Sequence, residues 1–376
     1  MKTKLLALLL LCLNISASAE NDITGNMNYD FKYSKKKTID ANFTVNELYT
    51  LDIEGRYSDI TISTTNSNML SFHIEITGMA DKEEHVDKLL QNIDFEFNDN
   101  KSNNTIYVNS VFCLKNIARK IGYEISISIT MPETIKLNID NMYGDINIDK
   151  LKNELNVNLR YADLTIDSLF AKNNIDIMYG DIMTKYVNNI NANVKYGNIN
   201  IVKGNNINVD IMYGDAEFGY VNKINGSLRY SEIYCKAADS TIIDIMYSDV
   251  HFTNANYISI KDGYSDVYIN NLKDEIKYRA NYGDLEISSV DKAFKSIDID
   301  ANYSDLEIYL TEDHNFNYDI ELLYGGFVSP KKILEGHATK IIERDSKYQI
   351  IGNYNDPEYK HKLLVNGCYT DLSLDD

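Results

Sequence analysis

Along residues 137–310 apolar side chains come in short bursts of alternation that restart every 17 or 18 residues, each burst interrupted by a tyrosine. Six positions before the tyrosines stand Leu155, Ile190, Ile207, Ile224 and Ile258, and four before stand Val157, Ile175, Val209, Ile243 and Ile260. Three after come Ile146, Leu164, Ile182 and Ile199, and five after come Ile148, Ile166, Ile201 and Phe218. Period-two alternation is the signal of a half-buried strand, and here its parity flips across the tyrosine. Leu151, Leu169, Val187 and Val221, eight after the tyrosine, are out of phase again. Each unit is therefore expected to bend twice.

The tyrosines are followed by a small residue and usually an acid, at positions 57, 143, 161, 179, 196, 213, 230, 247, 264, 282, 303, 324 and 369. From Tyr143 to Tyr324 eleven units run without a break. A two-residue Gly-Asp link could close a hairpin, which requires positive φ at the glycine. Ser58, Ala162, Ser231, Ser248, Ser265 and Ser304 occupy that position, and a Cβ disfavours such a backbone. The third, out-of-phase apolar position also breaks the alternation of a returning strand. The pattern predicts an all-β fold: a single-stranded, right-handed parallel β-helix with 17–18-residue coils. One unit buries too little to offset the ordering of its own chain, so the units must stack.

Counting parity along the strand places the tyrosines inward, as a structural ladder of rings; a platform for stacking sugars would need them outward. The acid two after the tyrosine is Asp at ten of thirteen copies, which suits a turn-capping carboxylate. A calcium-binding acidic edge is the alternative, since hard cations take carboxylate oxygens. Preceding the tyrosine, Met178, Lys195, Met212, Arg229 and Met246 continue an alternation begun by Met142 and Arg160, while Asp140, Asn158, Asp176, Asn193, Asp210, Ser227 and Asp244 alternate beside them. Arg160, Lys195, Arg229, Met178, Met212 and Met246 form the candidate surface stripe. Each cation is expected to lie diagonal to acids on neighbouring coils and to pair with them. A larger coil built from two units is the other reading of the double period.

Between Tyr57 and Tyr143 an 86-residue step contains DKEEHVDKLLQNI, whose Val86, Leu89, Leu90 and Ile93 share a helical face, with Asp81 and Glu84 resembling a capping pair. A 45-residue step separates Tyr324 from Tyr369. Both steps are expected to cover open coil ends. The organisation read from these features is a signal peptide at 1–19, an N-terminal β region at 20–136 with a helix near 81–93, β-helix repeats at 137–312, and C-terminal coils with a cap at 313–376.

MKTK, the apolar run after it and Ala17-Ser18-Ala19 have the layout of a cleavable export signal, which predicts an exported protein in the periplasm, on the outer surface or secreted. No later stretch has the length of a membrane helix. The 376 residues carry a formal charge of -19, a sign that repels phosphate backbones and argues against nucleic acid. Cys113, Cys235 and Cys368 are too few for a disulfide framework. The six histidines show no metal-ligand spacing, and no nucleophile elbow or phosphate loop occurs. No catalytic residue, cofactor site or metal site is assigned.

The segments YTLDIEGRYSDITI, HVDKLLQNI and EISISITMPETIKLNIDNMYGDINI, succeeded by repeated Tyr-Gly-Asp coils, resemble the putative adhesin family of bacterial β-strand repeat proteins, a domain of unknown function. The resemblance covers residues 45–310 and implies an exported β-helix without catalytic residues. The expected function is adhesin-like binding of a protein, glycan or cell-envelope component. A carbohydrate-active β-helix enzyme, a lyase or hydrolase, is the alternative and predicts acids and an Arg or Lys converging across adjacent coils. A purely structural envelope protein is the third reading.

Overall fold

The computed structural model describes residues 31–113, 120–329, 338–355, 358 and 360–375; the expected signal segment lies outside them. The chain opens with strands β1 (Tyr33–Thr44), β2 (Thr50–Arg56), β3 (Ser58–Thr65) and β4 (Met69–Ala80), then helix α1 (Glu83–Gln91) and strands β5 (Ile93–Asn100), β6 (Thr105–Phe112) and β7 (Ile121–Pro132). The apolar face of α1 buries Val86, Leu89 and Leu90. Its first turn is not closed by the expected capping pair: the N-cap residue is Lys82, without a side-chain cap, and Asp81 turns away to Lys120 at 2.8 Å.

The repeats supply β8 (Lys136–Met142), β9 (Ile146–Leu151), β10 (Leu155–Arg160), β11 (Leu164–Met178), β12 (Ile182–Lys195), β13 (Ile199–Met212), β14 (Ala216–Arg229), β15 (Glu232–Met246), β16 (Asp249–Gly263) and β17 (Val267–Asn281). Successive strands pair in parallel at the repeat distance, Val157 against Ile175, Ile190 against Ile207 and Ile207 against Ile224. One tyrosine unit is therefore one coil of a parallel β-solenoid, and the larger two-unit coil is set aside. In β12 the buried positions are Ile182, Thr184, Val187, Ile190, Ala192 and Val194. The two three-residue steps, 184 to 187 and 187 to 190, are the bends that the out-of-phase apolar position announces. Inward Ile, Val and Leu side chains form one continuous core from Val45 to Leu374.

Both long steps close within the stack. Strand β2 lies between β6 and β8, and β3 between β7 and β9, all parallel. Antiparallel β4, flanked by β1 and β7, and β5 on β6 then cover that end. At the other end come β18 (Leu285–Ile287), β19 (Ser296–Asn302), β20 (Asp305–Tyr309), β21 (Phe316–Leu323), β22 (Phe327–Val328), β23 (Ala338–Arg344), β24 (Lys347–Tyr354), β25 (Lys362–Cys368) and β26 (Asp371–Asp375). Antiparallel β24 and β23 cover β21. The last coil in sequence is not the last in space: β25 lies between β19 and β21, and β26 between β20 and β22.

Candidate ligand groove beside the tyrosine ladder

The tyrosines point outward, which corrects the inward placement drawn from parity. All thirteen have φ between 52° and 62°, a left-handed backbone that throws the side chain out of the strand's alternation. The residue after each then takes the inward slot, and Ser58, Ala162, Ser231, Ser248, Ser265, Ser304 and Thr370 are buried there. Positive φ thus falls on the tyrosine, and the next residue is small for want of space. A Cβ on Gly180, Gly197 or Gly214 would come within 1.9 Å of a carbonyl oxygen in the coil behind.

The rings form one unbroken stack in the order 57, 143, 161, 179, 196, 213, 230, 247, 264, 282, 303, 369, 324, with centroids 4.8–5.1 Å apart. A left-handed non-glycine residue costs about 1–2 kcal/mol, and a ring pair returns about 0.5–1.5 kcal/mol; the ladder largely offsets its own strain. Twelve of the rings are 38–59% exposed. Their faces are covered by one another, so a ligand alongside meets ring edges and not a stacking platform.

Nine of the turn aspartates accept a hydrogen bond from a backbone N–H of the neighbouring coil, Asp305 being the exception. The Asp145 N–H donates to Asp59 Oδ1 at 3.0 Å, Asp163 N–H to Asp145 at 2.9 Å, Asp181 N–H to Asp163 at 2.8 Å, and Asp305 N–H to Asp284 at 2.8 Å. The capping role holds, with the bond made between coils. Burial, reinforced by the neighbouring carboxylates, pushes Asp266 and Asp305 above the usual carboxylate range. Among the described residues no three His, Cys, Asp or Glu side chains gather as a metal ion would require.

On the strand side of the ladder the outward side chains make three further columns. The outermost begins with Arg56 opposite Met142 and continues through Arg160, Met178, Lys195, Met212, Arg229 and Met246, each in register with the next. All six residues of the candidate stripe lie in this column. Arg56 extends the alternation by one coil and was hidden by the 86-residue step. The expected pairing fails: among the described ion pairs none includes Arg56, Arg160, Lys195 or Arg229. The acids of the adjoining column are taken by neutral donors. Asn158 Nδ2 donates to Asp140 at 3.0 Å, Asn193 Nδ2 to Asp176 at 3.2 Å, and Ser227 Oγ to Asp210 at 2.6 Å.

The third column is an asparagine ladder not singled out from the sequence, although its regular recurrence was readable there. Asn156 donates to Asn138, Asn174 to Asn156, Asn191 to Asn174, Asn208 to Asn191 and Asn225 to Asn208, at 2.8–3.2 Å. Every amide points the same way. An asparagine amide has two N–H donors and two acceptor lone pairs, so those inside the ladder keep one of each for a ligand. The two inner columns line a shallow groove of about 660 Å³ that runs from Asp52 to Asn225 and Gly226.

Residues 182–354 match the Toastrack family model, DUF4097. The Toastrack match begins on the coil of β12 and takes in the covering strand β24, and the resemblance to adhesin-type repeat proteins is of the same kind. Similar solved structures include a putative cell adhesion protein from Clostridium sporogenes, at 10% identity over 91% of this chain and 99% of that one, with a TM-score of 0.19. Putative adhesins from Parabacteroides merdae and Bacteroides fragilis match at 13% and 15% identity, over 68% and 69% of this chain and 96% and 97% of theirs, with TM-scores of 0.29 and 0.25. No curated protein matches in sequence. No helix among the described residues is long and apolar enough to cross a membrane.

Proposed function

We propose that the protein is an exported, non-catalytic β-solenoid that binds an extended glycan of the cell envelope lengthwise in the asparagine groove. The observation that carries this reading is the one-way amide ladder, which offers a donor and an acceptor at every coil. Sugar hydroxyls both donate and accept, and a row of amides and carboxylates meets them with directional bonds. A protein partner fits less well, because the cores of protein interfaces are depleted of charge and rely on apolar and aromatic anchors. Acids and cations do adjoin across coils, as a carbohydrate-active enzyme would need. They recur coil after coil without any one set being distinct, which favours binding over catalysis. The layout of residues 1–19 supports export.

The test is a glycan array probed with the mature protein, with and without EDTA, while the bound material is watched for cleavage. Saturable binding that survives EDTA and is weakened by Asn191→Leu is the expected result. Cleavage would move the groove to the enzyme class, and binding unaffected by Asn191→Leu would remove it from the ligand.

A further inference from the structure

The cation column carries the ligand's identity further, on the premise that the asparagine groove is the binding surface. A protein of formal charge -19 has every reason to pair its surface cations, and elsewhere on the same solenoid it does: Arg279 holds Asp298 through two bonds of 2.9 Å, and Lys185 holds Asp167 at 2.7 Å. Arg56, Arg160, Lys195 and Arg229 stand apart. Carboxylates lie one coil away in the next column, yet Asn158, Asn193 and Ser227, on the cations' own coils, take the hydrogen bonds of those acids. Arg160, Lys195 and Arg229 are thereby left with open charges beside the groove, whereas Arg56 shares its coil and outward face with Glu54.

Their spacing is regular. Cation coils alternate with methionine coils, so the charges recur every second coil, about 10 Å apart at the usual separation of paired strands. The acids Asp140, Asp176 and Asp210 sit on the intervening coils, with the same period and half a period out of step. A ligand running along the groove must therefore offer an anion at every second coil and hydroxyl or amide donors between. A peptide in β-strand form does not match this period, since side chains on one face of a strand recur at about 6.8 Å. The two-coil period is the rise of one disaccharide in an extended β-linked glycan.

We infer that the groove recognises a linear acidic polysaccharide whose repeating disaccharide carries one carboxylate, the acidic sugar facing the cation coils and the neutral sugar facing the aspartate coils. A glycan charged on every sugar is disfavoured, because half of its carboxylates would fall beside Asp140, Asp176 and Asp210, and like charges in register repel.

The test uses the full mature chain and calorimetric or interferometric titration with three probes of equal length: a hyaluronan oligosaccharide, with one carboxylate per disaccharide; a polygalacturonate oligosaccharide, charged on every sugar; and a neutral cello-oligosaccharide. Hyaluronan is expected to bind most tightly, and the triple change Arg160→Gln, Lys195→Gln, Arg229→Gln should weaken it at least about tenfold, the scale of one lost charged hydrogen bond. Changing Asp140, Asp176 and Asp210 to Asn should raise polygalacturonate binding toward that of hyaluronan, a reversal that misfolding would not produce. Equal binding of the neutral probe, untouched by the triple change but lost in Asn191→Leu, would overturn the charge-period inference and leave the groove reading standing. Failure of all three glycans would overturn both. Tight binding of a strand-forming acidic peptide would overturn the polysaccharide class.

Discussion

The two halves of the solenoid share a backbone and differ in what they show to solvent. On the coils from β8 to β14 the outward columns are asparagines, hydrogen-bonded acids and unpaired cations. On the coils from β15 to β19 the same columns pass through Ile242, Ser259 and Lys277, and through Asp244, Lys261 and Arg279. Here charge meets charge: Lys261 lies 3.9 Å from Asp244, Lys277 3.2 Å from Glu275, and Lys295 2.5 Å from Asp274. The second half shows that the fold readily accepts a self-neutralised face. The open cations of the first half are thus a property of its sequence and not a demand of the coil.

Glycine turns and serine turns differ in the space they leave, and they give the largest expected effect. Gly197 would drive a Cβ to 1.9 Å from Gly180 O, whereas Ser248 lies buried with its hydroxyl donating to Met246 O at 2.9 Å. Gly197→Ser should cost about 3 kcal/mol through overpacking, and Ser248→Gly about 2 kcal/mol, since the hydroxyl also accepts the Ser231 N–H at 3.2 Å. Denaturant melts read both, and equal costs would erase the distinction between glycine and serine turns.

Next in size is a pH effect confined to the second half. Asp262 occupies an inward slot filled by Ile211, Leu228 and Ile245 on earlier coils, and it accepts a 2.6 Å hydrogen bond from Tyr278. Burial raises its carboxyl from the ordinary 3.8 to about 6, against the opposing pull of the Tyr278 bond. The folded state holds this proton more tightly than the unfolded chain, so the contribution is complete below the unfolded value and is lost as pH rises between 3.8 and about 6. The loss should be about 2 kcal/mol after allowing for residual solvent screening. The gap in melting temperature between Asp262→Asn and the parent should open over that window, and a constant gap would refute it.

Met178→Glu with Met212→Glu would give Lys195 an acid on each side and convert the first half to the habit of the second. Stability should move by less than about 1 kcal/mol, while affinity for the acidic glycan should fall about tenfold or more. The smallest effect is expected at Arg279→Ala. Its ion pair is half-exposed, and its loss should cost about 0.5–1 kcal/mol in a thermal melt.

The period of the apolar positions made the coil legible, because burying a stripe on every turn leaves no freedom in where Ile and Val fall. What escaped was whatever the backbone or the chain order decides. Parity arithmetic turned the tyrosines inward because it assumes an extended backbone through Tyr213 and its equivalents, and one left-handed residue cancels it. Arg56 was missed because its neighbour in space, Met142, is 86 residues away in sequence. His251 read as a scattered histidine, yet it sits between Tyr234 and Tyr268 at 4.8 and 4.7 Å, a contact visible only once the coils are stacked. Pairing of the cations was expected from proximity of opposite charge, and the competing asparagine donors decided otherwise.

Strands β25 and β26 bear on how the molecule is made. A solenoid growing from its first coil can add each new coil to an existing template as the chain leaves the ribosome. Here the slot between β19 and β21 stays open until β25 has been synthesised, and the slot between β20 and β22 until β26 has. Tyr324 cannot join the ladder before Tyr369 arrives, and a closure so distant in sequence is slow. A chain lacking β25 and β26 would keep two unpaired parallel edges facing one another across a gap. Insertion of β25 and β26 between strands made earlier, and not steady addition at one end, is therefore the event that seals the rod.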